Sequence, residues 1–440
     1  MTIISLPRRR LPAAAGSDCV SSSLLCGRLL AGLAAVLACL PAAAGDWPQI
    51  LGPRRSGQAA ADERLAGTWP AAGPAVVWSR EVGAGYAGIA VADGRAFLFH
   101  RVADRELVEA LDAATGELLW KDVGHPTRFR PQVGGGDGPL CTPVVAGGRL
   151  IIFGASGTLA CLDTATGRRQ WTRETHREFA APEGYFGAGS TPLVVGERVI
   201  VNVGGAKQEA GLVAFDLATG ETAWQTLADA ASYSAPVAVE LDGRPHVLAV
   251  TRLTCLLVDA ETGEIRWQFR FGQRGPTVNA ATPVLLAEDR LLVTAAYGIG
   301  SVCADFDAAS ARPIWEGIDS LATQYCTPIL LEGRLYAIDG RDDIPPARFR
   351  CLDPATGRVR WVEGDFGYGT LLAADGKLLV SKTDGELLLV EPDPDELKVL
   401  ARCRPFGDAL TGAIRALPAL ADGRLYLRDD RRLVCLAVGR

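Results

Sequence analysis

A short acidic motif recurs along the chain and places a carboxylate three residues before a hydroxyl. Residues 112–120 read DAATGELLW; near-copies follow at 163–171, 216–224, 259–267 and 353–361, with a degenerate copy, DAASARPIW, at 307–315. Such groups could form a reactive site or a turn. The Asp can accept backbone N–H bonds, the Thr can add another bond, and the Gly supplies the positive φ of a bulged hairpin turn. We therefore interpret the motif as part of the frame, with its Trp at the seam between neighbouring sheets.

Two of the four histidines lie in the longest connecting segments, His125 in 121–140 and His176 in 172–189. A metal pair is one interpretation, but no third ligand accompanies them, so solvated loop histidines are favoured. The scarcity of His, and of Met beyond the initiator, argues against a multi-histidine metal site or a Met/His haem ligand set. The Gly-rich ends of these segments are not phosphate loops, because no strand-to-helix context surrounds them.

The acidic motif is positioned by a second repeated unit, in which two apolar runs flank a Gly/Asp turn. This pattern is typical of a β-hairpin. Eight units occur, at 88–100, 141–154, 190–203, 234–250, 281–295, 326–339, 369–381 and 416–429. A third apolar run then leads into the Asp motif, and a fourth carries the Trp. Repeated four-stranded antiparallel units predict an all-β, eight-bladed β-propeller.

The two ends of the chain complement each other. The last unit, 416–438, has three strands and lacks a Trp strand, whereas AVVWSREV at 75–82 precedes the first hairpin. We predict that this N-terminal Trp strand joins the last blade and closes the propeller, which removes open sheet edges. The predicted boundaries are 1–44 for a signal peptide, 45–74 for an N-terminal leader and 75–440 for the propeller.

Ligands of propellers bind where the crossovers between blades deliver the chain to the innermost strands. The position two residues before the Thr/Ser site of each hairpin unit, here called the rim position, is occupied by Tyr86, Leu140, Gly189, Tyr233, Ala280, Tyr325, Tyr368 and Arg415. The same crossovers contain Asn279, Gln324, Tyr185, Phe186, Arg128 and Arg130. Tyrosines with an arginine suit a planar, anionic or sugar-like ligand. Alternatively, the tyrosines plug the channel and hydrogen-bond loop backbone.

The combination of TPVV-like hairpins with LDxxTGxxxW motifs resembles the pyrroloquinoline-quinone (PQQ) repeat family, over residues 75–438. That family includes the quinoprotein alcohol dehydrogenases and the propeller lipoprotein of the outer-membrane barrel-assembly machinery. The leader sequence GDWPQILGPRRSG at 45–57 resembles that of exported planctomycete-type members. The resemblance implies the propeller fold, whereas function depends on sites built onto it.

The resemblance to the dehydrogenases implies PQQ with calcium as cofactors. Those enzymes use adjacent cysteines below the quinone, a stacking Trp above it, a calcium ion held by Glu, Asn and Asp, and an Asp base. This sequence has no adjacent Cys pair, no haem-binding CxxCH, and Trp residues only in the leader or at seam positions. No residue matches the calcium ligands, so we predict no catalytic or metal residues.

The N-terminus predicts export. Basic residues precede the apolar run at 29–40, which is too short to span a bilayer comfortably, and Ala42–Ala44 offers a cleavage site before Gly45. Acylation of Cys39 is the less favoured alternative, and the twin-arginine or general export route stays open. Eight of the eleven cysteines follow residue 44. Cys161, Cys351 and Cys435 lie in apolar strand patterns, and small buried apolar residues are their favoured interpretation. The alternative is intra-repeat disulfides, Cys141–Cys161 and Cys326–Cys351.

Residues 45–440 carry 41 basic and 50 acidic side chains, net −9, which argues against nucleic acid or anionic lipid as a partner. We predict a monomeric binding or scaffold protein of the periplasm or cell envelope, without a membrane span. Its rim would meet a protein or carbohydrate partner. The alternative is a PQQ-dependent dehydrogenase that oxidises an alcohol or sugar at a non-standard site.

Overall fold

The computed structural model describes residues 45–127, 129–131, 136–407 and 410–440. Within them the strands form eight antiparallel sheets, and the fold is the predicted all-β, eight-bladed propeller. The predicted signal peptide, 1–44, and Arg128 lie outside the described residues. In most pairs of neighbouring sheets the first hairpin strands contact each other, which makes them the innermost strands.

The sheets are numbered along the chain. Sheet 1 comprises Ala90–Ala92, Arg95–Val102, Arg105–Asp112 and Leu118–Lys121, with His125–Pro126 paired to its third strand. Sheet 2 comprises Val144–Ala146, Arg149–Phe153, Thr158–Asp163 and Arg169–Glu174. Sheet 3 comprises Leu193–Val195, Arg198–Gly205, Ala210–Asp216 and Thr222–Thr226. Sheet 4 comprises Val237–Leu241, Arg244–Val250, Thr254–Asp259 and Ile265–Arg270.

Sheet 5 comprises Val284–Ala287, Arg290–Ala295, Gly300–Phe306 and Ala311–Gly317. Sheet 6 comprises Ile329–Leu331, Arg334–Asp339, Arg348–Leu352 and Val359–Glu363. Sheet 7 comprises Gly369–Ala374, Lys377–Lys382, Leu387–Glu391 and Lys398–Cys403. Sheet 8 comprises Ala419–Ala421, Arg424–Arg428, Arg432–Ala437 and the N-terminal strand Ala75–Glu81. Thr175–Glu178 form one turn of α-helix, and Ala206–Gln208 form a 3-10 turn.

Ala75–Glu81 pairs antiparallel with Arg432–Ala437 and is the outermost strand of sheet 8. Trp78 lies in this strand, and its indole N–H donates to the carbonyl of Ala113 in sheet 1 at 3.1 Å. The contribution of this strand to closing the ring of sheets stays a prediction.

The acidic motif is a hydrogen-bonded turn between the third and fourth strands, as predicted. In sheet 3, Asp216 Oδ1 accepts the N–H groups of Ala218 (3.0 Å) and Thr219 (2.8 Å) and the Thr219 hydroxyl (3.1 Å). The backbone hydrogen bond from Thr219 is the main reason why the pKa of Asp216 is lowered. Gly220 has a φ of 74°, which a residue with a side chain adopts only under strain. The turn is therefore explained by backbone chemistry alone.

Each turn also receives the Trp of the preceding sheet. The Trp171 indole N–H donates to the Leu217 carbonyl at 3.0 Å, and a Cβ on Gly220 would lie only 2.6 Å from the Trp171 ring. The motif glycine is thus required by its φ and by the aromatic ring above it. The same indole-to-carbonyl bond occurs at Trp120 with Thr164, Trp224 with Ala260, Trp267 with Asp307, Trp315 with Pro354 and Trp361 with Asp393. The predicted seam position of the Trp is confirmed.

Because antiparallel strands reverse direction at every turn, the first hairpin turns and the acidic turns share one end of the propeller, here called the turn end. The turns between second and third strands share the opposite end with the crossovers, here called the crossover end.

The leader lies across the inner strands at the turn end. Trp47 and Val91 exchange backbone hydrogen bonds (2.7 and 2.8 Å), and the Ala59 N–H donates to the Ala373 carbonyl at 2.8 Å. Arg55 reaches further inward, is only 3% exposed, and donates to carbonyl oxygens that include that of Pro236 at 2.9 Å. Burial lowers the pKa of Arg55 to about 9. The leader therefore covers the inner strands at this end.

The eight cysteines of the described residues are free thiols, and seven are buried. The interpretation of Cys161, Cys351 and Cys435 as small buried apolar residues is confirmed, and the alternative intra-repeat disulfides are not formed. Over the described part of the chain, no helix has the length and apolar character to cross a membrane.

Candidate functional site

The crossover end brings four of the five tyrosine and arginine side chains at the rim positions into one cluster. Arg415 Nε donates to Asp342 Oδ2 at 2.7 Å, and Arg415 Nη1 donates to the Tyr86 hydroxyl at 3.3 Å. The guanidinium carbon lies 5.5 Å from the centre of the Tyr86 ring. The Tyr325 and Tyr368 rings meet edge to face, with centroids 4.6 Å apart. We call these four residues with Asp342 the Asp342 cluster.

Charge in this cluster is concentrated on the Arg415–Asp342 pair. Burial alone lowers the pKa of Arg415, but the hydrogen bond and the charge of Asp342 outweigh it, so the pKa is raised. The Arg415 side chain is 36% exposed and that of Asp342 is 12% exposed. The guanidinium therefore stays charged and reaches solvent, where it can meet an anionic or planar group.

Tyr325 contributes a buried hydroxyl that interacts with the Asp342 carboxylate. Burial raises its pKa far above the usual value, Tyr368 and Asp342 raise it further, and Arg415 opposes them. The hydroxyl is therefore a protonated donor beside a carboxylate.

Two rim tyrosines are engaged by loop backbone. The Tyr368 hydroxyl accepts N–H bonds from Gln324 (3.1 Å), Tyr325 (2.8 Å) and Cys326 (3.0 Å). The Tyr233 hydroxyl accepts the N–H of Phe186 at 2.9 Å. These hydroxyls hold the preceding crossover in place, which agrees with the plug interpretation at these two positions.

The remaining predicted residues form a second group and one outlier. Tyr185 lies beside Tyr233, whose N–H donates to the Asn279 carbonyl at 2.9 Å. The Asn279 amide donates to the Thr251 carbonyl at 2.9 Å, so it fixes a loop. Arg130 pairs with Asp137: its side chain is 65% exposed, and Nη1 lies 3.4 Å from the Asp137 carboxylate. A binding role for all of these residues stays a prediction.

Sequence reasoning missed the turn between the second and third strands of sheet 6. Its residues include Arg341 and Asp342, and Arg341 stacks over the Tyr297 ring at 4.3 Å. Tyr297 lies in the corresponding turn of sheet 5, and Gln324 connects the two turns. Its side-chain amide donates to the Tyr297 hydroxyl at 2.8 Å and accepts the Asp342 N–H at 2.8 Å. The signal was present as GRDDIPP at 340–346, a longer insertion than the other sheets carry at this turn.

The loop histidines differ from their predicted solvated state. His125 is 7% exposed and its Nε2 lies 3.0 Å from the Glu106 carboxylate. His176 is partly buried, and its ring meets Phe153 edge to face. The prediction was wrong because both segments fold back onto the sheets, where the imidazoles are packed against strands.

A calcium-bound quinone would need clustered ligands. In the described ranges, no three His, Cys, Asp or Glu side chains are grouped so as to hold a metal ion. The carboxylate of the Asp342 cluster is paired with Arg415. These residues do not fit the calcium and quinone set that the resemblance implied.

A family model described as outer membrane protein assembly factor BamB, PQQ_2, matches residues 104–363, which is more than half of the chain. The chain belongs to this family. Among solved structures, BamB from Moraxella catarrhalis has a TM-score of 0.59 at 19% identity, covering 82% of this chain and 97% of that one.

Quinohemoprotein dehydrogenases share the BamB-like fold. The enzyme from Comamonas testosteroni has a TM-score of 0.64 at 14% identity, covering 90% of this chain and 81% of that one. At such identities the likeness shows the fold alone. Quinohemoprotein alcohol dehydrogenase ADH-IIG from Pseudomonas putida is 31% identical over 121 residues, which are 27% of this chain and 16% of that relative.

Proposed function

We propose that this BamB-like propeller is an exported binding or scaffold protein of the periplasm or cell envelope. In this proposal the crossover end meets a protein partner, such as a component that assembles outer-membrane proteins. The observation that carries it is the contrast between the ends. The leader covers inner strands at the turn end, whereas Arg341, Tyr297 and Arg415 remain accessible at the crossover end.

The chemistry of the crossover end supports recognition. Arg341 over Tyr297 and Arg415 over Tyr86 present two cation–π pairs, and arginine and tyrosine are enriched among the residues that dominate binding energy at interfaces. Asp342 and Asp343 hold the arginines in fixed positions, which reduces the entropy lost when a partner is bound.

Site-specific photo-crosslinking tests this proposal. A crosslinking residue would replace Tyr297 at the crossover end or, as the matched control, Arg312, which is exposed at the turn end. We expect one defined envelope protein to be crosslinked from position 297 alone, and Arg341→Glu to reduce its yield at least tenfold. Equal crosslinking from both positions, or none from 297, would show that the crossover end is not the binding face.

The second candidate is a PQQ-dependent dehydrogenase, which the 31% identity to ADH-IIG favours over a segment of the chain. When bound, PQQ with calcium would accept two electrons from an alcohol or sugar. Purified residues 45–440 would be mixed with PQQ and calcium and then desalted. Retained quinone absorbance with dye-linked alcohol oxidation would establish this candidate; loss of the quinone on desalting would remove it.

Export and assembly state belong to the same proposal. We propose cleavage before Gly45, a leader at 45–74 and a monomeric propeller at 75–440. Mass spectrometry of the protein from a periplasmic fraction would reveal Gly45 as the first residue, or an acylated Cys39 if the alternative holds. Light scattering of the purified chain should give the mass of one copy.

A further inference from the structure

A cavity of about 190 Å³ lies at the crossover end, between the crossovers that enter sheets 3, 4 and 5. The first of these crossovers contributes Tyr185 to the lining, the second Tyr233 and the third Thr277. Arg252, from the turn between the second and third strands of sheet 4, also lines the cavity. None of these residues belongs to the Asp342 cluster, so the two features can be tested separately.

Arg252 brings a positive charge into the lining that no carboxylate neutralises. Over the described part of the chain its guanidinium donates to two uncharged oxygens, the Thr277 hydroxyl at 2.8 Å and the Gly275 carbonyl, and forms no ion pair. A guanidinium has five N–H donors in one rigid plane, and these contacts use two of them. They therefore hold the group in place and leave N–H groups for a ligand.

The lining favours a ligand with one negative charge. His176 is the other lining side chain that can be cationic, but burial lowers its pKa to about 4, so it is neutral at physiological pH. One guanidinium balances a monoanion, whereas a phosphate monoester carries a charge of about −1.5 to −2 at neutral pH. The guanidinium plane also matches a carboxylate, to which it can donate two parallel hydrogen bonds. A carboxylate is therefore the group that Arg252 fits.

Glu183 is the acidic residue of the lining, and it marks where the cavity opens. Both Glu183 and its neighbour Pro182 are exposed, so the cavity is accessible from solvent at the crossover into sheet 3. Solvent and salt screen the charge of an exposed carboxylate. Glu183 therefore repels an entering anion only weakly, and its removal should strengthen anion binding slightly.

The rest of the lining is mainly apolar and is held in position. The Tyr233 hydroxyl accepts the Phe186 N–H at 2.9 Å, and the two rings meet edge to face with centroids 5.8 Å apart. Burial raises the pKa of Tyr233 to about 12, although backbone hydrogen bonds and the charge of Arg252 oppose it, so the hydroxyl stays protonated. Tyr185 and Val278 add further apolar surface. An aromatic ring or a short hydrocarbon chain would therefore be accommodated beside the guanidinium.

We propose that this cavity binds a carboxylate carried on a small apolar or aromatic body, with the carboxylate on Arg252 and the body against Tyr185 and Tyr233. The cavity is smaller than the pockets of about 300–1,000 Å³ that hold drug-sized molecules, so the body is on the order of one ring. The proposal goes beyond the proposed function, because it assigns a ligand site separate from the Asp342 cluster. Two sources share this chemistry, a free carboxylic acid and an acidic side chain of the protein partner.

Saturation-transfer NMR and calorimetry on purified residues 45–440 test the proposal with matched probes. The probe 3-phenylpropionate carries the carboxylate, 3-phenylpropionamide has the same shape without the charge, and phenyl phosphate is the comparison of higher charge. We expect saturable binding of 3-phenylpropionate. Binding of the amide should be at least about tenfold weaker, because the charge-assisted hydrogen bonds are lost. Phenyl phosphate should also bind more weakly, because one guanidinium leaves part of its charge unbalanced.

Three variants locate the carboxylate. Arg252→Met keeps a long side chain and removes the charge, so it should weaken 3-phenylpropionate binding at least about tenfold. Arg274→Met is the matched control, because Arg274 is exposed in the crossover into sheet 5 and does not line the cavity. It should change the affinity by less than about twofold. Glu183→Gln should tighten binding about twofold at low salt, and it stays informative, with the amide probe, if Arg252→Met fails to fold.

The carboxylate proposal is overturned if 3-phenylpropionate does not bind saturably, if the amide or phenyl phosphate binds as tightly, or if Arg274→Met weakens binding as much as Arg252→Met does. Where the probe binds as expected, crosslinking from position 297 in the Arg252→Met variant identifies the source of the carboxylate. A reduced yield assigns it to an acidic side chain of the partner, and an unchanged yield assigns it to a free acid. Probe binding without any crosslinking in the parent protein would remove the proposed function and leave the carboxylate site intact.

Discussion

The two ends of this propeller are built on different principles. At the turn end one arrangement is repeated: an aspartate closes a turn, a glycine takes a positive φ, and the preceding sheet's Trp lies on that turn. At the crossover end the blades differ, and the same rim position holds a tyrosine that accepts backbone N–H groups, a tyrosine beside a carboxylate or a charged arginine.

The difference shows where stability and recognition reside. Repeated contacts between neighbouring blades determine the frame, so each turn-end motif has a mainly structural role. Residues at the crossover end do not have to repeat in every blade, so their varied polar groups can bind a partner. Substitutions at the turn end should therefore lower the free energy of unfolding, whereas substitutions at the crossover end should change binding with little effect on stability.

The largest expected effect is removal of the chain segment that covers the turn end and completes sheet 8. Deletion of residues 45–82 removes the leader and the strand Ala75–Glu81, leaving Arg432–Ala437 as an unpaired edge. We expect aggregation or loss of cooperative unfolding. Soluble yield and thermal melts would measure it, with deletion of 45–74 as the control that keeps the strand. A soluble, equally stable 83–440 fragment would mean that the strand does not close the ring.

The seam Trp is the next test. Trp224 is 8% exposed and donates to the Ala260 carbonyl at 3.0 Å. Trp224→Ala should lower the free energy of unfolding by about 3–5 kcal/mol, as for other emptied aromatic sites. The control is Val123→Ala, because Val123 is 78% exposed and should change stability by less than about 0.5 kcal/mol. A loss below about 1 kcal/mol for Trp224→Ala in denaturant melts would contradict the seam role.

The blades and their contacts could be predicted from the sequence because every repeat carries the same structural residues. Asp216, Gly220 and Trp171 each recur at the same spacing, so hairpins, blade number and seam contacts followed from the pattern. The leader's path could not be predicted. The sequence GPRRSG suggests a solvent-exposed Arg55. Only in the folded propeller do carbonyl oxygens near the inner strands accept its hydrogen bonds and allow it to be buried.

The glycine of the acidic motif is required for two reasons, its positive φ and its contact with a Trp ring, and substitutions can separate them. Gly263 has a φ of 73°, and a Cβ there would lie 2.6 Å from the Trp224 ring. Gly263→Ala should lower stability by about 2–4 kcal/mol, from backbone strain plus overpacking. Gly243 has a φ of 68° with open space around it, so Gly243→Ala should show the strain alone, about 1 kcal/mol. Equal losses for both would mean that the Trp contact contributes nothing.

The candidate site was predicted only in part, because the pattern gives positions and not the partners of a side chain. The shared rim position correctly predicted that Tyr86, Tyr325 and Arg415 lie near one another, although they are far apart in the sequence. It could not indicate Asp342, which comes from a turn insertion without repeats. It also could not tell which tyrosines take the alternative role of hydrogen-bonding loop backbone, as the Tyr368 hydroxyl does with three N–H groups.

The smallest expected effect is at the Arg415–Asp342 pair. A partly exposed ion pair contributes about 0.2–1 kcal/mol, because solvent screens it and ordering the side chains costs entropy. A double-mutant cycle with Arg415→Ala and Asp342→Ala should give a coupling in that range in urea melts, decreasing with salt. Arg312→Ala at the turn end, with a 68% exposed side chain, should have an even smaller effect. A coupling above about 3 kcal/mol would instead indicate a desolvated pair that plugs the channel for stability. That result would remove the contrast between the ends, since the crossover end would then be part of the frame and Arg415 would not be available to a partner.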